Sequence, residues 1–228
     1  MNIPSQTAGL YDNMRSAILS LELIPGERLT ERSLETTYGA SRTPIRAVLM
    51  RLETEGLVKR DGRGWIVSPI DLSEISALAE FREAIERAAI RGVILRASDS
   101  DIDSLFELLE SFREAASEED SLRAGGDFHL ELAQLSGNRF FVDSIQGVMT
   151  RLARTRWLEV RTQEAREQAW LEHHEILEKI GERDVTAVEL ASTHIRETNE
   201  RLLDHLAKER RRFRGSGLSI VDDSQILA

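Results

Sequence analysis

At Pro69-Ile70 the hydrophobic pattern of this sequence changes character, and few architectures accommodate both sides of the change. Before it, three short helical patterns and a hairpin signal are compressed into about sixty residues. After Asp71 nothing reads as a strand, and the chain becomes a series of long amphipathic helices. The spacing predicts a mainly α protein, with a small N-terminal helix-and-hairpin module (residues 1–70) followed by an all-α antiparallel bundle (71–212) and a mobile tail (213–228).

The local signals on the N-terminal side are specific. From Tyr11 to Leu21 the apolar positions Met14, Ile18 and Leu21 recur at helical spacing, until Ile24-Pro25-Gly26 breaks the pattern. Thr30 caps a short second helix anchored by Leu34 and Tyr38 and stopped by Gly39. Ser41 caps a third, with Pro44 tolerated in its first turn and Ile45, Val48, Leu49 and Leu52 forming its apolar face. Gly56 ends it, and two β-prone runs, Leu57 to Lys59 and Trp65 to Val67, flank Asp61-Gly62-Arg63-Gly64. On the C-terminal side six helices are expected at roughly 72–97, 99–117, 119–136, 138–160, 164–181 and 184–212, the last ending in a basic run that suits a helix C-terminus.

Charge divides along the same line. Residues 1–70 hold nine Lys and Arg against eight Asp and Glu, net +1, while residues 71–228 hold 21 against 32, net −11. Six basic residues (Arg42, Arg46, Arg51, Lys59, Arg60, Arg63) face three acidic ones within 41–65, so positive charge is concentrated locally and the two domains are expected to meet different partners. Hydrophobic residues at 41%, charged residues at 31% and aromatics at 5% describe a soluble, helix-rich chain and exclude a disordered or fibrous one. No apolar run approaches the ~20 residues of a membrane helix. The absence of cysteine removes disulfides and thiolate zinc sites, leaving His, Asp and Glu as metal ligands. With no secretory signal at the start, a cytoplasmic location and no membrane partner are expected.

Residues 30–67 read as a helix-turn-helix with a wing. Arg42 and Arg46 stand four apart on one face near the start of the second helix of the motif, the end that a recognition helix presents to base edges in the major groove. Ser41 and Thr43 are sized for phosphate oxygens at the helix N-terminus. Arg63, between Gly62 and Gly64 at the hairpin tip, can approach a groove or backbone with little obstruction. The stretch IPGERLTERSLETTYGASRTPIRAVLMRLETEGLVKRDGRGWIV closely resembles the winged helix-turn-helix of the GntR family of bacterial transcription regulators. The resemblance implies DNA contacts by Arg32, Ser41, Arg42, Thr43 and Arg46, with the wing tip at Gly62, Arg63 and Gly64. One departure is Ala47, where the family usually has Glu, with an effect expected on local packing or capping.

Residues 72–210 resemble the FCD domain of the FadR subgroup, an effector-binding and dimerising bundle, in the six-helix form of its VanR-type branch. The motifs are Phe81-Arg82 with Ile85-Glu86, DFHLELAQLSGN (127–138), EHHEIL (172–177), GERD (181–184) and ASTHI (191–195). In relatives an Asp four residues before the first His joins three His from three helices around a divalent metal that holds a carboxylate effector. The three histidines match His129, His173 and His194, and imidazole suits Zn²⁺ or Ni²⁺. Gly125 stands where the Asp belongs, and Asp127 is two residues from His129, some 200° round an ideal helix. The expectation is therefore either a three-His site, one metal per chain, completed by water or effector, or a site without metal. His174 and His205 are assigned to solvent or an interface, and Trp157 and Trp170 to core or pocket wall. Arg82, Arg151 and Arg154 are the candidate carboxylate anchors, because a planar guanidinium donates two parallel hydrogen bonds.

Together these readings describe a DNA-binding transcription regulator, a repressor in the manner of most relatives. It would bind a palindromic double-stranded operator as a homodimer and respond to a small metabolite, a carboxylate, in the helical domain. An all-α metalloenzyme using the three His and Glu175 as base is the alternative from another class, and the N-terminal module speaks against it. A regulator with a fatty-acyl or other metal-free ligand is a further alternative.

Overall fold

The computed structural model describes residues 3–113, 128–156, 162–213 and 219–222. The chain divides into two compact units, Met1–Ser73 with Leu206–Ala228, and Glu74–His205.

In the first unit α1 (Ile3–Leu19) buries Leu10, Tyr11, Met14 and Ile18, the i, i+3/i+4 stripe that the sequence displays. The helix stops before Leu21, which was expected inside it and instead takes a left-handed conformation at φ 62°. Strand β1 (Arg28–Leu29) follows, then α2 (Glu31–Tyr38) and α3 (Arg42–Thr54). Thr30 caps α2 reciprocally with Ser33, and Gly39 ends it in the left-handed region at φ 63°. On α3, Ile45, Val48, Leu49 and Leu52 are almost wholly buried, each contributing about 1.5–3 kcal/mol of apolar burial to the core. β2 (Val58–Asp61) and β3 (Gly64–Val67) form the hairpin, and β1 pairs antiparallel on the other side of β3, with Leu29 opposite Trp65. β1 was not foreseen, since two residues carry no alternation to read. Trp65 fills the centre of this small core, and the Arg60 guanidinium covers its ring at 3.7 Å.

Two expectations are corrected here. Strands do occur from Ile70 onward, and the stretch 213–228 is not simply a mobile tail. β4 (Ile70–Asp71) pairs in parallel with β5 (Ile220–Val221). Ser219 N–H donates to the Pro25 carbonyl at 2.9 Å and accepts from Ile70 N–H, through its own carbonyl, at 3.0 Å. Ile220 is buried, and a Cβ at Gly26 would lie 2.7 Å from that of Ser219, so only glycine permits this approach. The apolar pair at Ile220 thus finds a backbone and a side-chain partner that its short sequence signal does not announce.

The second unit is built from α4 (Leu72–Arg96, from Glu74 on), α5 (Asp99–Arg113), α6 (residues 128–135), α7 (Arg139–Arg156), α8 (Gln163–Gly181) and α9 (Ala187–Phe213, as far as His205). Most of these elements fall within the expected helices, but α8 begins one residue early at Gln163, and α9 begins three residues late, where Asp184 accepts from Thr186 N–H in a turn, and ends one residue late at Phe213. The expected segment 114–127, with Gly125 and Asp127, lies outside the described residues, as does Trp157. Thr162 caps α8 by accepting from Ala165 N–H at 3.1 Å. α5 packs on α8, and a continuous core runs through Ile90, Val93, Leu105, Leu109, Phe128, Leu132, Leu177 and Ile180. α4 passes the end of α6 at Gly92, where a Cβ would stand 3.0 Å from the Ser136 carbonyl oxygen, and Arg96 Nε–H donates to that oxygen at 2.7 Å.

Candidate functional site

The winged unit displays every residue expected at DNA on its surface. Arg32, Ser41, Arg42, Thr43 and Arg46 are exposed, and so are Gly62 and Arg63 at the hairpin tip, with Gly64 half-buried. Ser41 occupies the N-cap position of α3, yet its hydroxyl makes no capping bond, which leaves it available as a donor. Gly62 is the first of the two loop residues and has φ 58°, as a II′-type turn requires, and nothing lies within 4 Å of where its Cβ would be. Arg42 and Arg46 are paired through Nε with Glu35 at 3.3 Å and Glu31 at 2.5 Å, both on α2.

In the helical unit, His129, His173 and His194 converge from α6, α8 and α9, and all three are buried. Their ligand nitrogens lie within 4.8 Å of one another. The neighbouring groups constrain the imidazole tautomers. Arg82 Nη2 has only hydrogens to give and lies 2.7 Å from His129 Nε2, so that nitrogen is an acceptor and Nδ1–H faces Glu86 Oε2 at 3.2 Å. Nδ1–H of His194 donates to Glu172 at 2.5 Å, and its Nε2 lies 3.1 Å from His173 Nε2. His173 Nδ1 is buried and has no hydrogen-bond partner.

The electrostatics follow from this arrangement. Burial pushes the His129 imidazole down to about 3, with Glu86 opposing and Arg82 reinforcing. His173 is held well below the ordinary imidazole range by burial and then by His194 and His129. Burial alone would raise the Glu86 carboxyl, but Arg82, at 2.6 Å through Nε, and His129 hold it well below the carboxylate range. Glu172 is similarly brought to about 2, against its own burial, by hydrogen bonds from His194 and Gln168 and by the charges of His194 and Arg201. Near neutral pH the site therefore presents neutral His129 and His173 beside ionised Glu86 and Glu172.

A divalent cation fits this donor set chemically. Ligating histidines ordinarily pass their second nitrogen to a carboxylate, and His129 and His194 already do so. The orphaned, buried His173 Nδ1 marks a ring whose hydrogen bonding is incomplete. Arg82 is the complication, since its guanidinium engages the His129 nitrogen that would ligate.

The histidines open into a cavity of about 270 Å³, lined also by Arg82, Arg156, Arg201, Gln168, Thr198 and His205, with Phe112, Ala165, Ala169 and Leu202 as apolar wall. Of the three arginines expected at a carboxylate, Arg82 lines this space. Arg151 is exposed and pairs with Glu74 at 2.7 Å. Arg154 is buried away from the lining, and burial brings it down to about 10. Arg156, Arg201 and His205 were missed, and His205 is at the cavity rather than in solvent or an interface. The signal for two of them was present, because His194, Thr198, Arg201 and His205 follow one another at i, i+4, i+7 and i+11 along a single face of α9. His174 is half-buried beside Phe106 and Trp170, and Trp170 lies in the core. Glu175, the base of the enzymatic alternative, is exposed and outside the lining.

Two family models account for these two regions: the FCD domain matches residues 77–198, more than half the chain, and the model of bacterial regulatory proteins of the gntR family matches residues 6–67. The chain belongs to the GntR family and carries an FCD domain. Its families are those of transcriptional regulators, and this GntR member is a regulator and not an enzyme. It is 29% identical over 191 residues to the Nta operon transcriptional regulator of Aminobacter aminovorans, covering 82% of this chain and 89% of that protein. It is 26% identical over 196 residues to the transcriptional repressor RspR of Escherichia coli K12, covering 84% and 86%. The fold is shared with a GntR transcriptional regulator from Rhodococcus sp. RHA1, at a TM-score of 0.73 with 20% identity over 88% of this chain and 98% of that one. Among the described residues no helix of this regulator is long and apolar enough to cross a membrane.

Proposed function

We propose that this GntR regulator is a repressor that binds a palindromic operator as a homodimer and is released or retained by a small carboxylate metabolite in the FCD cavity. In this reading α3 enters the major groove. Arg42 and Arg46 read base edges, Ser41 and Thr43 hold phosphates, Arg32 supports them from α2, and the wing tip Gly62-Arg63-Gly64 meets an adjacent groove or backbone. Two-fold symmetry doubles a contact that one winged unit makes over only a few base pairs. His129, His173 and His194 would hold a divalent metal, Zn²⁺ or Ni²⁺, which when bound supplies a Lewis-acid anchor for the carboxylate. Arg82, Arg156 and Arg201 would bind and orient the same anion. The observation that carries the reading is the convergence of three imidazoles and three guanidinium-bearing side chains on one small cavity. A ligand gains control only if it favours one arrangement of the protein over another, so effector binding and operator binding must be coupled.

A metal-free version has a specific observation in its favour, the Arg82 guanidinium standing against His129 Nε2. There a cation already occupies the neighbourhood, and the anion is held by arginines alone. Native mass spectrometry of protein purified without chelator tests both versions at once. A dimer with one metal per chain supports the three-His site, and a retained anion identifies the effector class. A metal-free dimer that keeps its anion after His129→Ala and His173→Ala supports the arginine-only version. A monomer that takes up neither metal nor anion overturns the proposal.

A further inference from the structure

The arginines of α3 are engaged before any nucleic acid arrives. Glu31 and Glu35 stand one turn apart on α2, Arg42 and Arg46 one turn apart on α3, and the pairs cross as Glu31 with Arg46 and Glu35 with Arg42. Leu34 of α2 and Ile45 of α3 are both buried in the apolar core of this unit. The arginine side chains remain 67% and 64% exposed, whereas their carboxylate partners are 31% and 24% exposed. Both bonds run through Nε, so they use one of the five N–H donors of each guanidinium.

Exposed ion pairs contribute little to stability, so this ladder needs another reason. An arginine at a DNA surface has two competing partners. A phosphate attracts it through charge, without regard to sequence, and the O6/N7 edge of guanine attracts it through two directed hydrogen bonds. A carboxylate bonded to the guanidinium changes these unequally. It cancels much of the charge that a phosphate would feel and adds a repulsion of its own, while holding the planar group in one posture for a directed contact.

We propose that Glu31 and Glu35 are specificity-determining residues of the DNA-binding face, which position Arg46 and Arg42 for base edges and weaken their contacts to phosphate. Discrimination is a difference of affinities, and the carboxylates supply its repulsive half. This rests on α3 being the recognition helix, and the experiment separates the two ideas.

The probes are a duplex enriched from a random-sequence pool by the wild-type chain and a scrambled duplex of the same length and composition. Affinities for both are measured across a salt series for wild type, Glu31→Gln, Glu35→Gln, the double variant, Arg46→Ala, and Glu31→Gln combined with Arg46→Ala. The double glutamine variant should bind the scrambled duplex roughly tenfold tighter, with a salt slope steeper by about 0.9 for each phosphate newly contacted, and gain less on the enriched duplex. Its preference for the enriched sequence therefore falls. In the Arg46→Ala background Glu31→Gln should change nothing, because the group it positions is gone. Glu35→Gln, remote from the helix start, serves where Glu31→Gln loosens the first turn of α2. An unchanged preference and slope overturn the proposal, as does an equal effect with and without Arg46, which would mean bulk charge. If the wild-type chain enriches no sequence at all, the recognition-helix reading falls first and takes this one with it.

Discussion

The two units of this regulator place their functional groups on opposite sides of their cores. In the winged unit the core of Met14, Ile18, Ile45, Leu49, Leu52 and Trp65 is apolar, and the arginines and hydroxyls expected at DNA all stand outside it. In the helical unit Arg82, Glu86, His129, His173, His194, Arg154 and Arg156 are buried among the helices themselves. A surface site can be altered while the fold stays intact. An interior site is part of what the fold must satisfy, so its chemistry and the stability of its unit are one problem.

That contrast can be broken most decisively at Glu86. Glu86→Ala leaves the Arg82 guanidinium buried without its 2.6 Å partner, and a loss of about 3–5 kcal/mol of stability is expected, read by chemical denaturation. Next in size, zinc added to chelator-treated protein at a hundred times its dissociation constant should raise stability by about 2.7 kcal/mol, whereas His173→Ala should abolish that increment. Arg42→Ala should cost about 1–3 kcal/mol in preference for the enriched duplex while shifting stability by less than about 0.5 kcal/mol, because the side chain is exposed. Acid sharpens the comparison further. The unfolded chain takes up protons at His129 below its ordinary value of 6.5, and the folded chain resists down to about 3, so metal-free stability should decline as pH falls through that window. Glu86, held low in the folded state, acts with the same sign at lower pH. Arg151→Ala, which removes an exposed pair with Glu74, should change stability by no more than about 1 kcal/mol and leave anion binding intact.

How much of this was legible in the sequence differs between the units for a physical reason. The winged site is nearly contiguous, so Ser41, Arg42, Thr43 and Arg46 could be read from one helix start and Gly62-Arg63-Gly64 from one turn. What escaped was the ladder to Glu31 and Glu35, because it depends on how two helices cross. The cavity is assembled from α4 through α9, and only His129, His173, His194 and Arg82 were marked in advance. Choosing among Arg151, Arg154 and Arg156 requires the rotational phase of α7, and two residues along a helix turn a side chain through about 200°. β1 and β5 are two residues each, shorter than any periodicity that could disclose them.

The pairing of β4 with β5 sets an order in time. Residues 1–73 emerge from the ribosome first, but Ile220 follows Ile70 by about 150 residues, roughly 8–30 s at ordinary rates of synthesis. Through that interval the Pro25 carbonyl and the Ile70 amide lack the partners that Ser219 later provides. The winged unit is thus the first to be started and the last to be finished. A nascent or clipped chain that lacks Ile220 presents the α3 surface while β4 is still without its paired strand.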